Sequence, residues 1–258
     1  MIKFKALVLV VSFFAIFHQH AYADEIRLRA DTWPPFNASP TSALPGYMVE
    51  VAKIVFEKVG HKIDYQIAPW NRSILDAEKG NIDGIIAAAV GDAPKLLFPS
   101  EPLGRVEEAI FVKANNPWKY TDSESLKTQK IGIISDYSYG DKFDEYIKAN
   151  KEDKAKIEVL AGDEALNQSI KKLSLGRVTA IFCVPQVFYQ TVNDLKINKD
   201  DFIQAGSSGD KDDLFIAFSP AKESSKKYAE ILSNGINELR ASGELKKILD
   251  KYELKDWK

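Results

Sequence analysis

Cysteine is almost absent from this sequence, since Cys183 is the only one in 258 residues. A single cysteine excludes an internal disulfide, so the fold must be held together by its hydrophobic core. Hydrophobic residues make up 45% of the chain. At this length, that share is enough for one large domain or two small ones.

Histidine and excess charge are also scarce, and both absences limit the function. His61 is the only histidine after residue 20, and the motifs Gly-x-Ser-x-Gly, His-Glu-x-x-His and Cys-x-x-Cys do not occur. These absences argue against a Ser-His-Asp hydrolase, and we expect neither a metal nor a cofactor. The formal net charge of −2 argues against binding to nucleic acid or to an anionic membrane surface.

A long apolar run occurs only near the amino terminus. Lys3 and Lys5 precede an apolar run over residues 6–17, and Ala21-Tyr22-Ala23 supplies a small-x-small cleavage pattern. The run is too short for a membrane span, and no cysteine follows it to carry a lipid anchor. The pattern predicts a signal peptide over residues 1–23, cleaved after Ala23, and a periplasmic product.

The loop Trp33-Pro34-Pro35-Phe36 follows a short alternating segment, residues 26–30, that predicts a strand. The two prolines must end that strand, because proline cannot donate to a sheet ladder. The loop therefore lies at the carboxyl edge of a strand, where open α/β sheets bind ligands. Two interpretations stay open: a strand-ending turn with rings packed on a helix, or one wall of a binding site.

The rest of the chain runs in two successive βα series. The first contains a helix with apolar periodicity up to Gly60 and an apolar run over residues 82–89 that predicts a central, buried strand. The second begins at Lys130, and a last strand over residues 214–218 precedes two closing helices. This order predicts two α/β lobes, each with a mostly parallel sheet.

The chain is expected to cross between the lobes twice, near Lys113 and near Leu214. Lobe 1 would then contain residues 24–113 and 212–258, and lobe 2 residues 114–211. Two crossings leave a cleft between the lobes, which is a common place for a small ligand.

Several short motifs occur in one order along the chain: Trp33-Pro34-Pro35-Phe36, Pro45-Gly46-Tyr47, Gly80-Asn81-Ile82-Asp83-Gly84, residues 98–102, Lys130-Ile131-Gly132-Ile133, Gly176-Arg177-Val178 and residues 241–248. In this ordered set the chain resembles the family 3 extracellular solute-binding proteins, the periplasmic receptors of polar amino-acid ABC transporters. The resemblance implies a type II periplasmic-binding fold that closes on a small-molecule ligand by a hinge motion. It also implies a membrane permease as partner, and we expect a monomer.

Two signature groups of that family are missing. The family holds the α-carboxylate of its ligand with an Arg, but residues 87–95 contain none, and Asp92 or Lys95 falls near its place. The family holds the α-ammonium with an Asp, where this chain has Val184. The resemblance therefore implies a small polar or anionic solute and leaves open whether it is an α-amino acid.

The resemblance places aromatic rings in the cleft, and Arg72 could supply the missing cation. Arg72 lies in the first turn of a predicted helix, where free backbone N–H groups would help to grip a carboxylate or phosphate. The alternative is a surface Arg paired with Asp76 at i+4. Arg105, beside the lobe junction, is a second candidate.

In the second lobe, the resemblance gives Ser138 the task of receiving an anionic group, with an ordinary helix cap as the alternative. Tyr137 could contact the other end of the ligand. Gln186 could replace the family's missing Asp as a neutral partner. The predicted ligand-binding residues are Trp33, Phe36, Trp70, Arg72, Asp92, Tyr137, Ser138 and Gln186.

The leading interpretation is a binding receptor without catalysis. A periplasmic enzyme on the same fold, similar to the dehydratases among such proteins, is one alternative, because a fold does not fix a function. A soluble sensory receptor that presents its ligand to a kinase or a chemoreceptor is the other.

Overall fold

Two five-stranded sheets organise the chain. The computed structural model describes residues 24–162 and 164–258, so the predicted signal peptide lies outside the described residues. The strands are β1 (Glu25–Ala30), β2 (Lys62–Ile67), β3 (Gly84–Ala88), β4 (Gly104–Val106), β5 (Ala109–Lys113), β6 (Ile131–Ile134), β7 (Ile157–Leu160), β8 (Ala180–Cys183), β9 (Phe202–Ser207) and β10 (Asp212–Phe218). The helices are α1 (Tyr47–Lys58), α2 (Trp70–Glu78), α3 (Asp141–Asn150), α4 (Ala165–Ser174), α5 (Pro185–Asp194), α6 (Ser225–Ser242) and α7 (Glu244–Lys251). Within the described residues, no helix is both long and apolar enough to cross a membrane.

The first sheet has the strand order β2-β1-β3-β10-β4. Strand β1 pairs in parallel with β2 and β3, whereas β10 runs antiparallel to β3 and β4. Every residue of β3 is buried, as the apolar run predicted for a central strand.

The second sheet has the order β7-β6-β8-β5-β9. Strand β6 pairs in parallel with β7 and β8, and β5 runs antiparallel to β8 and β9. The two sheets confirm the predicted α/β fold with two lobes. Each sheet has a core of three parallel strands, and next to this core lies a strand that crosses from the other lobe, β10 in the first sheet and β5 in the second.

The structure differs from the sequence-based division at residues 109–113. That division gave them to lobe 1, but β5 pairs with β8 and β9 in the second sheet. The buried side chains of Ile110 and Val112 pack in the core of the second lobe beside Phe143 and Phe182. The first crossing therefore lies at residues 107–108 and the second at residues 208–211, between β9 and β10.

The loop at residues 33–36 is fixed on the start of α1. The backbone N–H groups of Tyr47 and Met48 donate to the carbonyl oxygens of Pro35 and Phe36, both at 3.1 Å. These donors have no partner inside the helix, so the loop satisfies them. Gly46 has φ of 106°, and a Cβ there would lie 2.7 Å from the backbone nitrogen of Asn37, so only glycine permits this close approach.

Candidate functional site

A small cavity lies between the two lobes, at the carboxyl ends of β1, β3 and β6. Residues of the first lobe, of the second lobe and of the first crossing line it: Asp31, Trp33, Trp70, Ile86, Ala87, Ala89, Asp92, Val106, Glu108, Tyr137, Ser138, Asp212 and Leu214. Its volume is about 40 Å³. At roughly 10–15 Å³ for each enclosed water, this is room for about three water molecules.

Three aromatic side chains form part of the apolar wall, together with aliphatic side chains. Trp33 and Trp70 belong to the first lobe and Tyr137 to the second, and the rings of Trp70 and Tyr137 meet edge to face with centroids 6.1 Å apart. Phe36 does not line the cavity. It stacks behind Trp33 at 4.6 Å between ring centroids and contacts Tyr47, so it supports the wall from the core.

Strand β3 bends where it reaches the cavity. Ala87 has φ of 67°, in the left-handed region, and the pairing of β3 with β10 shifts register beside it. Such a bulge interrupts the alternation of side chains, and both Ile86 and Ala87 border the cavity. Backbone strain of this kind is common at binding sites.

Four carboxyl groups give the cavity its charge. Asp31 follows β1, Asp92 follows β3, Glu108 lies in the first crossing and Asp212 begins β10 after the second. Among the described residues that line the cavity, none is a lysine, an arginine or a histidine.

Burial and mutual repulsion raise the pKa values of three of these acids, Asp92, Glu108 and Asp212. Burial raises the pKa of Asp92 from 3.8 to about 6, against two backbone hydrogen bonds that lower it, and nearby Asp144 and Asp212 add to the increase. Burial and the same cluster of acids raise the pKa of Glu108 well above 4.5. The pKa of Asp212 is raised by burial and by Asp141 and Asp210.

Two hydrogen bonds join the lobes directly across the cavity. The Tyr137 hydroxyl donates to Oδ2 of Asp31, and the backbone N–H of Ser138 donates to Oδ1 of Asp92 at 2.9 Å. The other carboxylate oxygen of Asp92 accepts from the N–H of Ala89, also at 2.9 Å. The conformation is therefore one in which the lobes touch.

Ser138 lines the cavity, but its hydroxyl is already engaged. It donates to Oδ2 of Asp144 at 2.7 Å, and Oδ1 of Asp144 accepts from the N–H of Tyr139 at 2.9 Å. Asp141 and Asp144 both lie in the first turn of α3. Negative charges there oppose the binding of an anion at this helix end, contrary to the task that the family resemblance gives Ser138.

Arg72 and Gln186 lie outside the cavity. The Arg72 side chain is 75% exposed and its Nε approaches Oδ2 of Asp76 at 3.4 Å, which is the surface pair predicted as the alternative. Successive helix residues turn by about 100°, so Arg72 points away from the face that carries Trp70. Gln186 is exposed and borders a separate, larger and more open depression with Arg105, the other candidate cation, and Trp257.

The structure thus brings together Trp33, Trp70, Asp92, Tyr137 and Ser138 from the predicted set. Sequence reasoning missed Asp31, Glu108 and Asp212. Asp31 stands between β1 and Trp33, so its position at the strand end was a usable signal. Glu108 could have been found only from the correct position of the first crossing, whereas Asp212 directly follows the boundary at residues 211 and 212 that the sequence-based division gives.

A family model for bacterial extracellular solute-binding proteins, family 3, matches residues 28–255. The chain belongs to this family. No curated protein sequence matches it significantly.

Solved structures with the same fold support the family assignment at the level of the fold. An ancestral arginine-binding protein bound to arginine has a TM-score of 0.72 and 20% identity, over 90% of this chain and 99% of that one. An amino acid ABC transporter substrate-binding protein from Streptococcus pneumoniae, bound to L-arginine, has a TM-score of 0.69 and 18% identity, over 89% and 94%. A histidine kinase sensor domain similar to periplasmic binding proteins has a TM-score of 0.72 and 16% identity, over 88% and 95%. At these identities, this family 3 protein shares their fold, and its ligand must be argued from its own residues.

Proposed function

We propose that this protein is a periplasmic receptor that binds a small solute between its lobes and delivers it to the permease of an ABC transporter, without converting it. The observation that carries the proposal is the composition of the cavity wall. Both lobes and the first crossing contribute to it, so a bound solute would contact both parts that move when the lobes close. A ligand shifts a conformational balance only through contacts that differ between the two states, and this wall supplies them.

The family and the amino-acid-binding neighbours support a binding role rather than catalysis. The cavity also supports it, because each oxygen of Asp92 is held by a backbone N–H and the Ser138 hydroxyl is bound to Asp144. Groups held in this way position a ligand, and among the described lining residues there is no histidine to activate the Ser138 hydroxyl as a nucleophile.

The direct test is native mass spectrometry of the secreted protein, purified without added solute, followed by identification of whatever is released on denaturation. We expect one small solute for each protein molecule, recovered unchanged after long incubation. Trp70→Ala should reduce its retention, whereas Gln190→Ala, on an exposed part of α5, should not. A protein that converts the solute, or that retains the same amount after Trp70→Ala, would contradict the proposal.

A sensory role is the second candidate, because a histidine kinase sensor domain shares the fold over 88% of this chain. The two roles differ in what deletion of the gene changes. Loss of uptake of the identified solute supports transport. Normal uptake combined with loss of a transcriptional response to that solute supports sensing.

A further inference from the structure

We infer that the solute bound between the lobes is an organic cation without a carboxylate group, such as an amine or a guanidine. This inference rests on the proposed receptor function and names the class of its ligand. It departs from the small polar or anionic solute that the family resemblance implies.

The charge of the wall is the first argument. Asp31, Asp92, Glu108 and Asp212 border the cavity, and within the described part of the chain no basic residue does. Arg105 and Lys142 are close in sequence to lining residues, but their side chains are used elsewhere. Nε of Arg105 lies 2.7 Å from Oδ1 of Asp213, and Nζ of Lys142 lies 3.2 Å from Oδ2 of Asp210.

An unsatisfied carboxylate oxygen is the second, independent argument. Glu108 is only 8% exposed, and its Oε2 has no hydrogen-bond partner among the described residues. An unpaired polar atom at such depth is costly, and a buried carboxylate is normally paired with a positive group or a donor. A positively charged N–H group on the ligand would supply both the hydrogen-bond donor and the positive charge.

The aromatic side chains fit the same ligand class. Trp33, Trp70 and Tyr137 line the cavity beside the acids, and a ring face attracts a cation through its quadrupole. A carboxylate on the ligand would find no basic side chain among the described lining residues, and the unpaired indole N–H of Trp70 is only a single neutral donor. The carboxylate would face either the acids or the start of α3, where Asp141 and Asp144 already carry negative charge.

A metal ion is a poorer fit than an organic cation. Within residues 24–162 and 164–258, no three His, Cys, Asp or Glu side chains converge closely enough to hold a metal. Both oxygens of Asp92 already accept backbone hydrogen bonds. The acids are spread around an aromatic wall, which suits the dispersed charge and apolar body of an organic cation.

The position of two of the acids links the ligand to closure. Glu108 lies in the first crossing and Asp212 directly after the second, so the closed form brings their like charges to the same small cavity. A cation between them replaces repulsion by attraction. A cation larger than the present cavity requires the lobes to move slightly apart.

The test compares amines with the amino acids that differ from them only by the α-carboxylate: ethylamine with alanine, cadaverine with lysine, and agmatine with arginine. We expect, by calorimetry on the full mature chain at pH 8, that the amine of any pair that binds does so at least about tenfold more tightly than its amino acid. Equal or tighter binding of an amino acid would overturn the inference. If no pair binds, the charge of the co-purified solute decides, and a solute with a carboxylate or without positive charge overturns it, as does the absence of any solute.

Glu108→Gln tests the residue that carries the argument, and Glu107→Gln is its matched control. Glu107 is the neighbouring acid, but it borders the separate depression beside Arg105 and Gln186. Its carboxylate accepts a hydrogen bond from the Ser207 hydroxyl. We expect Glu108→Gln to weaken the binding of the amine by about tenfold or more, and Glu107→Gln to leave it unchanged. Unchanged affinity in Glu108→Gln, with thermal unfolding showing an intact fold, would overturn the inference.

The proposed receptor function and the inferred ligand class can be contradicted independently of each other. A bound amino acid or anion would contradict the inferred ligand class but would be compatible with the receptor function. A bound amine that the protein converts into another compound overturns the receptor and leaves the cation standing.

Discussion

Arg72 and Trp70 are two residues apart, yet they differ completely in environment. The Trp70 side chain borders the cavity, and its Nε1 is buried without a hydrogen-bond partner among the described residues. The Arg72 guanidinium is largely in solvent beside Asp76. At the scale of single residues, we therefore expect recognition of the solute to depend on indole rings and carboxylates and not on the exposed guanidinium.

We predict that Arg72→Ala leaves the affinity for the co-purified solute unchanged in calorimetry. It should alter the free energy of unfolding by no more than about 0.5 kcal/mol, because an exposed i,i+4 pair contributes little. Trp70→Phe keeps an aromatic side chain but presents a smaller ring face that attracts a cation less strongly, so it should weaken binding while the fold remains intact. A clear loss of affinity in Arg72→Ala would contradict this prediction and show that the guanidinium contributes to solute binding.

The Tyr137 hydroxyl is expected to stabilise the closed conformation. Tyr137→Phe removes its hydrogen bond to Asp31, a charged acceptor, so the closed form should lose roughly 1.5–3 kcal/mol. Small-angle X-ray scattering of the unliganded protein should then show a larger radius of gyration than the wild type. The exposed Tyr189 on α5 provides the control, since Tyr189→Phe should leave the radius unchanged.

At the scale of elements, α6 packs on α1 through a glycine. A Cβ at Gly235 would lie 2.6 Å from Cγ2 and 3.0 Å from Cβ of Val55. Alanine is intrinsically better than glycine in a helix by about 1 kcal/mol, but overpacking costs about 1–3 kcal/mol. The close approach of the two helices should therefore dominate.

We predict that Gly235→Ala lowers the free energy of unfolding by about 1–2 kcal/mol in urea denaturation. Val55→Ala alone should also destabilise, by leaving a cavity. The double variant should be more stable than the sum of the two effects implies, because each change makes room for the other. Strict additivity would show that the helices move apart instead.

The elements themselves could be predicted far better than the site. Alternation, proline breaks and the apolar run at β3 were sufficient to assign the two βα series. The membership of β5 could not be predicted, because a short apolar strand could pair in the interior of either sheet. That one strand decides where the first crossing lies, and hence that Glu108 lies between the lobes.

The tryptophans were predictable for a local reason, since Trp33 follows a strand end that prolines define. Asp92 was predicted only because it falls near the sequence position where the family has its Arg. The direction of Arg72 depends on how α2 is rotated against its sheet, and a nine-residue helix with two polar residues in its first turn does not fix this rotation.

At the scale of the whole molecule, the balance between open and closed lobes should depend on pH. In the closed form the pKa of Asp92 is raised to about 6, and the pKa values of Glu108 and Asp212 are raised as well. Asp31, Asp144 and Tyr137 face the same space, and none of them supplies a positive charge. The closed form therefore binds more protons than an open form in which the acids are hydrated.

We predict that lowering the pH of the unliganded protein from 8 to 5 shifts it towards the closed form. The sign follows from linkage: acids with raised pKa values disfavour the closed form as they ionise, so closure becomes less favourable as the pH rises through about 6. Scattering should show a smaller radius of gyration at pH 5. In Glu108→Gln the change should be smaller, and a larger radius at pH 5 would contradict the prediction.

The pairing of β5 with β9 has a consequence for the covalent order of the chain. Ala109 lies opposite Ser207 in that pairing, so the second lobe begins and ends on neighbouring strands, about 5 Å apart. The second lobe is thus an uninterrupted insertion in the first, and its ends could be joined by a few residues. Residues 109–207 should fold as an autonomous unit, and the lobes of two family members could be exchanged by cutting each chain only at its two crossings.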